Sequence, residues 1–238
     1  MKNDAKTKFY GVGVGPGDPR LMTLRAVEVL QEVDVVAIPK SRTDRESVAW
    51  EIAQEHCRDG VRVLELELPM TSDRDVLEQA WQAGAQAILA EIGAGHSVAF
   101  ITLGDPSLYS TYSYLLRHLQ PVLPGEQIET VPGITAMAAA AARLHIPLAT
   151  GDEPLLVLPS AEDVAEHLAY PNLVLMKVSR RLPELVRVLN ERRRPAALLT
   201  RVGQQGEQVR WLSGAEGASE EKIDYLSLMI VKQEGDCL

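Results

Sequence analysis

The chain has 238 residues, 46% of them hydrophobic, 24% charged and 5% aromatic, the balance of an ordinary globular protein and not of a disordered or fibrous one. Two domains are expected at this length, because a single core stops growing at roughly 250 residues. The formal net charge of −9 argues against a nucleic-acid binder whose affinity comes from neutralising phosphates. No run approaches the ~20 apolar residues of a membrane span, and "MKNDAKTK" leads into no signal-peptide-like apolar stretch. The expectation is a cytoplasmic protein without nucleic-acid or membrane partners.

Apolar runs of a few residues alternate with helical patterns, the rhythm of βαβ units. "FYGVGV" reads as the first strand, followed by a helix from about Thr23 in which Leu24, Val27 and Leu30 share a face. "VDVVAIP" is a buried strand closed by Pro39. Next come a helix at "SVAWEIAQEH", a strand at "VRVLELEL", a long helix at "DVLEQAWQAGAQAILAEI" and a buried strand at "SVAFITLG". After the helix "YSYLLRHL", the stretch "QPVLPGEQ" supplies two prolines and a glycine, and the domain boundary is expected there, giving domains 1–121 and 122–238. In the second half "QIETVPG" reads as strand and turn, and "ITAMAAAAARL" as a strong helix former. "LLVLPS", "NLVLMKV", "PAALLTRVG", "EQVRWL" and "LSLMIV" are further strands, which suggests a mixed sheet. The arginine-rich "SRRLPELVRVLNERRRP" reads as a solvated helix face with a basic last turn.

Cys57 and Cys237 read as free thiols, since two cysteines make neither a disulfide framework nor a four-ligand zinc site. His56, His96, His118, His145 and His167 show no ligand spacing, so no metal site is expected.

"YGVGVGPGDPRLMTL" carries glycine at positions 11, 13, 15 and 17 between a strand and a helix. It fails the dinucleotide fingerprint G-x-G-x-x-G in both registers, since the sixth residue is Pro16 or Asp18. Pro16 has no N–H to donate, and Asp18 sets a carboxylate where an anion would sit. A Walker loop fails as well. "FITLGDPSLYSTYSYL" and "ETVPGITAMAAA" repeat the plan of buried strand, bend and helix. Three such bends offer backbone N–H and C=O groups at the carboxyl edge of an α/β sheet, where ligands bind.

These landmarks, "VGVGPGDPRLMTLRAVEVL", "LGDPSLYSTYSYL", "VPGITAMAAAAARLHIPLATGDE", "LVLMKV", "LLTRVG" and "YLSLMIV", occur in an order that resembles the tetrapyrrole (corrin and porphyrin) methylase family over nearly the whole chain. "GDPSLYSTYSYL" and "VVAIPKS" are most similar to its branch that methylates C20 of precorrin-2 or cobalt-precorrin-2 on the way to cobalamin. The resemblance implies two α/β domains with an active-site cleft between them, a homodimer, and S-adenosylmethionine as methyl donor. Carried over, the cofactor would be met by Gly104, Asp105, Leu108, Tyr109 and Ser110, by Thr135 and Ala136, by Met176, by Val202 and Gly203, and by Ser227 and Leu228. Gly15, Pro16, Gly17 and Asp18 would face the tetrapyrrole.

Methyl transfer from a sulfonium to an electron-rich carbon needs alignment more than a protein nucleophile. If a base removes the C20 proton, Asp105 and Tyr112 are the candidates, with Asp105 better suited to holding the cofactor. A substrate with several carboxylates calls for a local basic patch on this acidic chain. Lys40, Arg42, Lys177 and Arg201, at or just beyond strand ends, are the choices; any of them could equally be ordinary surface charge. The alternatives are another methylase of the same fold, such as a uroporphyrinogen-III C-methyltransferase, and a non-catalytic nucleotide-binding module.

Overall fold

The computed structural model describes residues 7–40, 47–160, 162, 164–212, 223–233 and 235. The chain divides after Thr135 into two compact units, each built on one five-stranded sheet.

The first unit carries β1 (Phe9–Gly13), α1 (Leu24–Glu32), β2 (Val35–Pro39), α2 (Val48–Ala53), β3 (Arg62–Leu66), α3 (Arg74–Gly93), β4 (Val98–Thr102), α4 (Tyr112–Leu119) and β5 (Ile128–Val131). Its strands run in the order β3-β2-β4-β1-β5, and every pairing is parallel. A parallel sheet needs both faces covered. Tyr10, Val12, Val36 and Ile101 pack on one face with Ala26, Val29 and Leu30 of α1 and Ile52 of α2. Phe9, Ala37 and Phe100 pack on the other with Ile88 of α3 and Leu115 of α4. Local signals set the helix starts: Thr23 Oγ1 accepts the N–H of Ala26 at 3.2 Å, and the Asp73 carboxylate accepts those of Asp75 and Val76, meeting donors that the first turn leaves unpaired.

β5 pairs with β1 from Phe9↔Ile128 to Val12↔Val131. This places Ile128–Val131 in the first sheet, although the expected 122–238 domain had assigned it to the second. The prolines at 121 and 124 interrupt the chain without ending the unit, because the strand beyond them completes the edge beside β1.

The second unit carries α5 (Ala136–Leu144), β6 (Leu155–Leu158), α6 (Val164–His167), β7 (Asn172–Met176), α7 (Leu182–Glu191), β8 (Ala196–Thr200), β9 (Gln208–Leu212) and β10 (Ser227–Val231). The order is β6-β7-β10-β8-β9. β6 and β7 are parallel, while β10 runs antiparallel to both β7 and β8, and β8 to β9. The sheet is therefore mixed. Leu182, Leu185, Val186 and Leu189 of α7 pack against Leu173, Leu175, Leu198 and Met229.

One arginine departs from the solvated face expected of "SRRLPELVRVLNERRRP". Arg194 is buried. Its guanidinium donates to the carbonyl oxygens of Lys232 at 2.5 Å, Tyr170 at 3.0 Å, Pro171 at 2.9 Å and Leu168, tying the loop before β7 to the end of β10. Lys232, also buried, donates to Asn172 Oδ1 at 2.6 Å and Leu148 O at 3.0 Å. Both charges stay inside because hydrogen-bond acceptors surround them.

Candidate functional site

In the first unit every strand is parallel, so the carboxyl ends of β1, β2, β3, β4 and β5 lie on one edge. The glycine turns after β1 and β4 are joined there. Gly104 N donates to Gly15 O at 2.7 Å, Gly15 N donates to Gly104 O at 3.3 Å, and Val14 N donates to Thr102 O at 3.0 Å. The turn after β5 closes on the same point: a Cβ on Gly133 would lie 2.1 Å from Gly104 O, and one on Gly13 would lie 2.6 Å from Gly104 O and 2.7 Å from Gly133 N. Neither position has room for a side chain. At Gly104 the need is different. Its φ is +72°, a conformation that glycine adopts without steric cost, and a Cβ there would make only ordinary van der Waals contact, with Thr135 Cα 3.9 Å and Ile134 O 4.0 Å away.

Asp105 holds this junction in place. One carboxylate oxygen accepts the N–H of Gly133 at 2.8 Å, and the other accepts the N–H of Ser107 at 2.8 Å and the Ser107 hydroxyl. Burial would raise its pKa, but the hydrogen bonds from Ser107 and Gly133 outweigh burial and hold it below the ordinary carboxylate value. Asp105 is thus an ionised, well-occupied acceptor and a weak base.

The other candidate base, Tyr112, sits in the core. It is 2% exposed, stacks on Phe9 with ring centroids 5.9 Å apart, and its hydroxyl meets Thr130 Oγ1 at 2.5 Å. A Cβ on Gly11 would fall 2.1 Å from the Tyr112 ring, so the missing side chain in β1 is what makes room for the ring. Burial raises the Tyr112 pKa against the opposing hydrogen bond with Thr130. Ser110, also buried, donates to Thr102 Oγ1 at 2.9 Å and accepts the Tyr112 N–H at 3.2 Å, at the start of α4. Tyr109 is exposed and has φ of 51°, and Leu108 N donates to Asp105 O.

Gly15, Pro16 and Gly17 are buried. The Asp18 side chain accepts the Arg20 N–H at 2.9 Å and pairs with its guanidinium at 2.6 Å. Hydrogen bonds from the Arg20 side chain and backbone lower its pKa. The opening loop therefore serves to brace the Gly104 turn and to start a short helical turn at Pro19–Leu21. Lys40 follows β2 with its ammonium 3.4 Å from Glu67 and 3.8 Å from Glu65, so its charge already faces two carboxylates. Arg42 lies outside the described residues.

In the second unit the predicted residues gather at the edge formed by the carboxyl ends of β7 and β8 and the start of β10. Met176 pairs with Leu228, and Ser227 with Thr200; the Ser227 and Thr200 hydroxyl oxygens are 3.1 Å apart. Lys177 and Arg201, each one residue past a strand, have φ of 55° and 53°. Left-handed backbone at non-glycine residues is uncommon and costs energy. Val202 is buried, and Gly203 N donates to Glu207 Oε2 at 2.8 Å. The sequence reading missed the partners of the two cations. The Lys177 ammonium lies over the Tyr225 ring at 5.7 Å, and Arg201 Nη1 is 3.7 Å from Asp224. An acid and an aromatic side by side just ahead of the last strand were the available signal. Ala136 opens α5, whose Ala139, Ala140 and Ala141 are buried.

A doubly wound parallel sheet with three glycine turns fused at its carboxyl edge, followed by a mixed sheet, defines a two-unit α/β protein. The chain belongs to the tetrapyrrole (corrin/porphyrin) methylase family, whose model matches residues 8–215. It is 38% identical over 232 residues, 97% of this chain and 98% of the relative, to the probable cobalt-precorrin-2 C(20)-methyltransferase of Methanocaldococcus jannaschii. With the cobalt-precorrin-2 C(20)-methyltransferase of Salmonella typhimurium it shares 34% identity over 233 residues, covering 95% of this chain and 97% of that one. Among solved structures, a cobalt precorrin-4 methyltransferase matches with a TM-score of 0.73 at 18% identity, over 98% of this chain and 97% of that one, and so shares the fold.

Proposed function

We propose that this chain is an S-adenosylmethionine-dependent methyltransferase acting on C20 of precorrin-2 or cobalt-precorrin-2 in cobalamin biosynthesis. The observation that carries the reading is the similarity, over nearly the full length of both chains, to relatives named for that reaction. A cytoplasmic homodimer is part of the same proposal, and any cobalt belongs to the substrate.

The residues on the Gly104 edge suit the methyl donor. A zwitterionic, adenosine-bearing molecule needs backbone donors and acceptors, and a Cβ at Gly104 would meet only ordinary van der Waals contact while Gly13 and Gly133 have no room for one. Gly104, Asp105, Leu108, Tyr109, Ser110, Thr135 and Ala136, with Met176, Val202, Gly203, Ser227 and Leu228, are the residues proposed to hold it; Gly15, Pro16, Gly17 and Asp18 are proposed to face the tetrapyrrole. S-adenosylmethionine supplies an electrophilic methyl group on a sulfonium. The chain's own task is alignment, which is worth up to about 7–11 kcal/mol of barrier when the reacting atoms are held in line. Asp105 orients the Gly133 turn, and Tyr112 keeps its proton. Lys177 and Arg201 attract the substrate's carboxylates, with Lys40 and Arg42 as further members of the basic patch.

The test is incubation with labelled S-adenosylmethionine and each form of precorrin-2 in turn, read by mass and absorption of the product. A single added methyl at C20 is expected. Absence of label on both forms, with transfer to uroporphyrinogen III in its place, overturns the reading.

A further inference from the structure

The chain after β8 folds back on itself in two steps. Gln204 N donates to Arg201 O at 2.9 Å, and Glu207 N donates to Gln204 O at 3.1 Å, which closes two consecutive four-residue turns. The third position of each is a glycine, Gly203 with φ of 72° and Gly206 with φ of 82°, as a turn with a left-handed third residue requires. The second turn returns the Glu207 side chain to the first, where its Oε2 accepts the N–H of Gly203 at 2.8 Å. A trans peptide is planar and carries its N–H and C=O on opposite sides. That one bond therefore fixes which way the Val202–Gly203 peptide faces.

The other oxygen of the same carboxylate is occupied as well. Glu207 Oε1 accepts Arg143 Nε at 2.6 Å. Arg143 stands in the last turn of α5, the helix that Ala136 opens about two turns earlier. The Glu207 side chain is 21% exposed and that of Arg143 is 59% exposed. A pair with so open a cation adds little to stability. What it adds is a fixed separation between α5 and the turn, both of which belong to the second unit.

We propose that Glu207 is a positioning residue for the methyl donor. It holds the Val202–Gly203 peptide in the orientation that meets the ligand, and through Arg143 it sets that peptide against the helix begun by Ala136. The inference rests on the function proposed above, in which Val202, Gly203 and Ala136 touch S-adenosylmethionine; Glu207 and Arg143 act only through them. A carboxylate suits the task because its two oxygens accept independently, one from the turn and one from the helix.

The test uses the full chain, with S-adenosylhomocysteine as the probe in calorimetric titration and hydrogen exchange of the Gly203 amide followed by NMR. Glu207→Ala removes both bonds and is expected to weaken binding about tenfold and to speed exchange at Gly203 by a similar factor. Glu207→Gln keeps an oxygen for the Gly203 N–H, so its exchange should stay slow and its affinity should fall only about threefold, as in Arg143→Gln. Adding Arg143→Gln to Glu207→Ala should weaken binding no further. Wild-type affinity in Glu207→Ala, or a loss in Glu207→Gln as large as in Glu207→Ala, overturns the positioning role. Should Glu207→Ala fail to fold, wild-type affinity in Arg143→Gln overturns the tie to α5. Absence of S-adenosylhomocysteine binding by the wild type is a different result: it overturns the function proposed above, while the exchange rates still report whether Glu207 holds the turn.

Discussion

The Asp105 carboxylate accepts the backbone N–H of Gly133 at 2.8 Å with one oxygen while its other oxygen holds Ser107, so one side chain ties the turn after β4 to the turn after β5. Asp105→Ala is expected to leave the Gly133 N–H without its acceptor, at a cost of about 1–3 kcal/mol, and to weaken S-adenosylhomocysteine binding. Urea unfolding and calorimetric titration measure the two effects. The pH dependence has a fixed sign. Because folding lowers the Asp105 pKa, its contribution to stability is present above the ordinary carboxylate value of about 3.9 and is lost as pH falls through the folded value. Acid unfolding of Asp105→Asn is expected to be shallower than that of the wild type.

Gly104→Ala and Gly133→Ala should separate binding from folding. At Gly104 a methyl group makes only ordinary van der Waals contact but must adopt φ of +72°, which costs about 1–2 kcal/mol. The protein should fold and lose S-adenosylhomocysteine affinity by about tenfold or more. At Gly133 the methyl would meet Gly104 O at 2.1 Å, and the unfolding midpoint should drop sharply. Equal losses of stability in both would refute the distinction.

Gly11→Ala drives a methyl group into the Tyr112 ring. Overpacking of this kind typically costs about 1–3 kcal/mol. Adding Tyr112→Leu, which removes the ring, should recover part of the loss in thermal unfolding. Since Tyr112 is read as a packing residue, the pH profile of methyl transfer in Tyr112→Phe should match that of the wild type.

Arg194→Met strips four backbone carbonyls of their donor. With hydrogen bonds to charged groups worth about 1.5–3 kcal/mol each in favourable cases, a loss of about 3 kcal/mol or more is expected. Arg192→Met and Arg193→Met, at exposed positions in the same run, should stay within about 0.5 kcal/mol of the wild type. Denaturant titration of the three variants decides the matter.

The strands, the parallel character of the first half and the family were legible in the sequence, because buried strands, bends and helix caps are local signals. Thr23 announces its helix from a position beside it. Arg194 was not legible, since its acceptors at Leu168, Tyr170, Pro171 and Lys232 are distant in the chain and it lies within a run of exposed arginines. Tyr112 looked available for chemistry because nothing near it in sequence shows that Gly11, on a distant strand, vacates the space for its ring. The opening glycines fail the dinucleotide pattern in the sequence, yet nothing near them shows which of them make room for other turns. A glycine that admits another backbone and one that admits a ligand are written with the same letter.

The fused turns also bear on how the protein comes to exist. Gly13 must wait for Gly104, 91 residues later, and for Gly133, 120 residues later. Contacts this far apart in the chain form slowly, because the intervening loops must close first. On a ribosome the opening turn therefore emerges long before either of its neighbours and stays incomplete until the fifth strand has been made. The most glycine-rich segment of the chain is made well before the two turns that complete it.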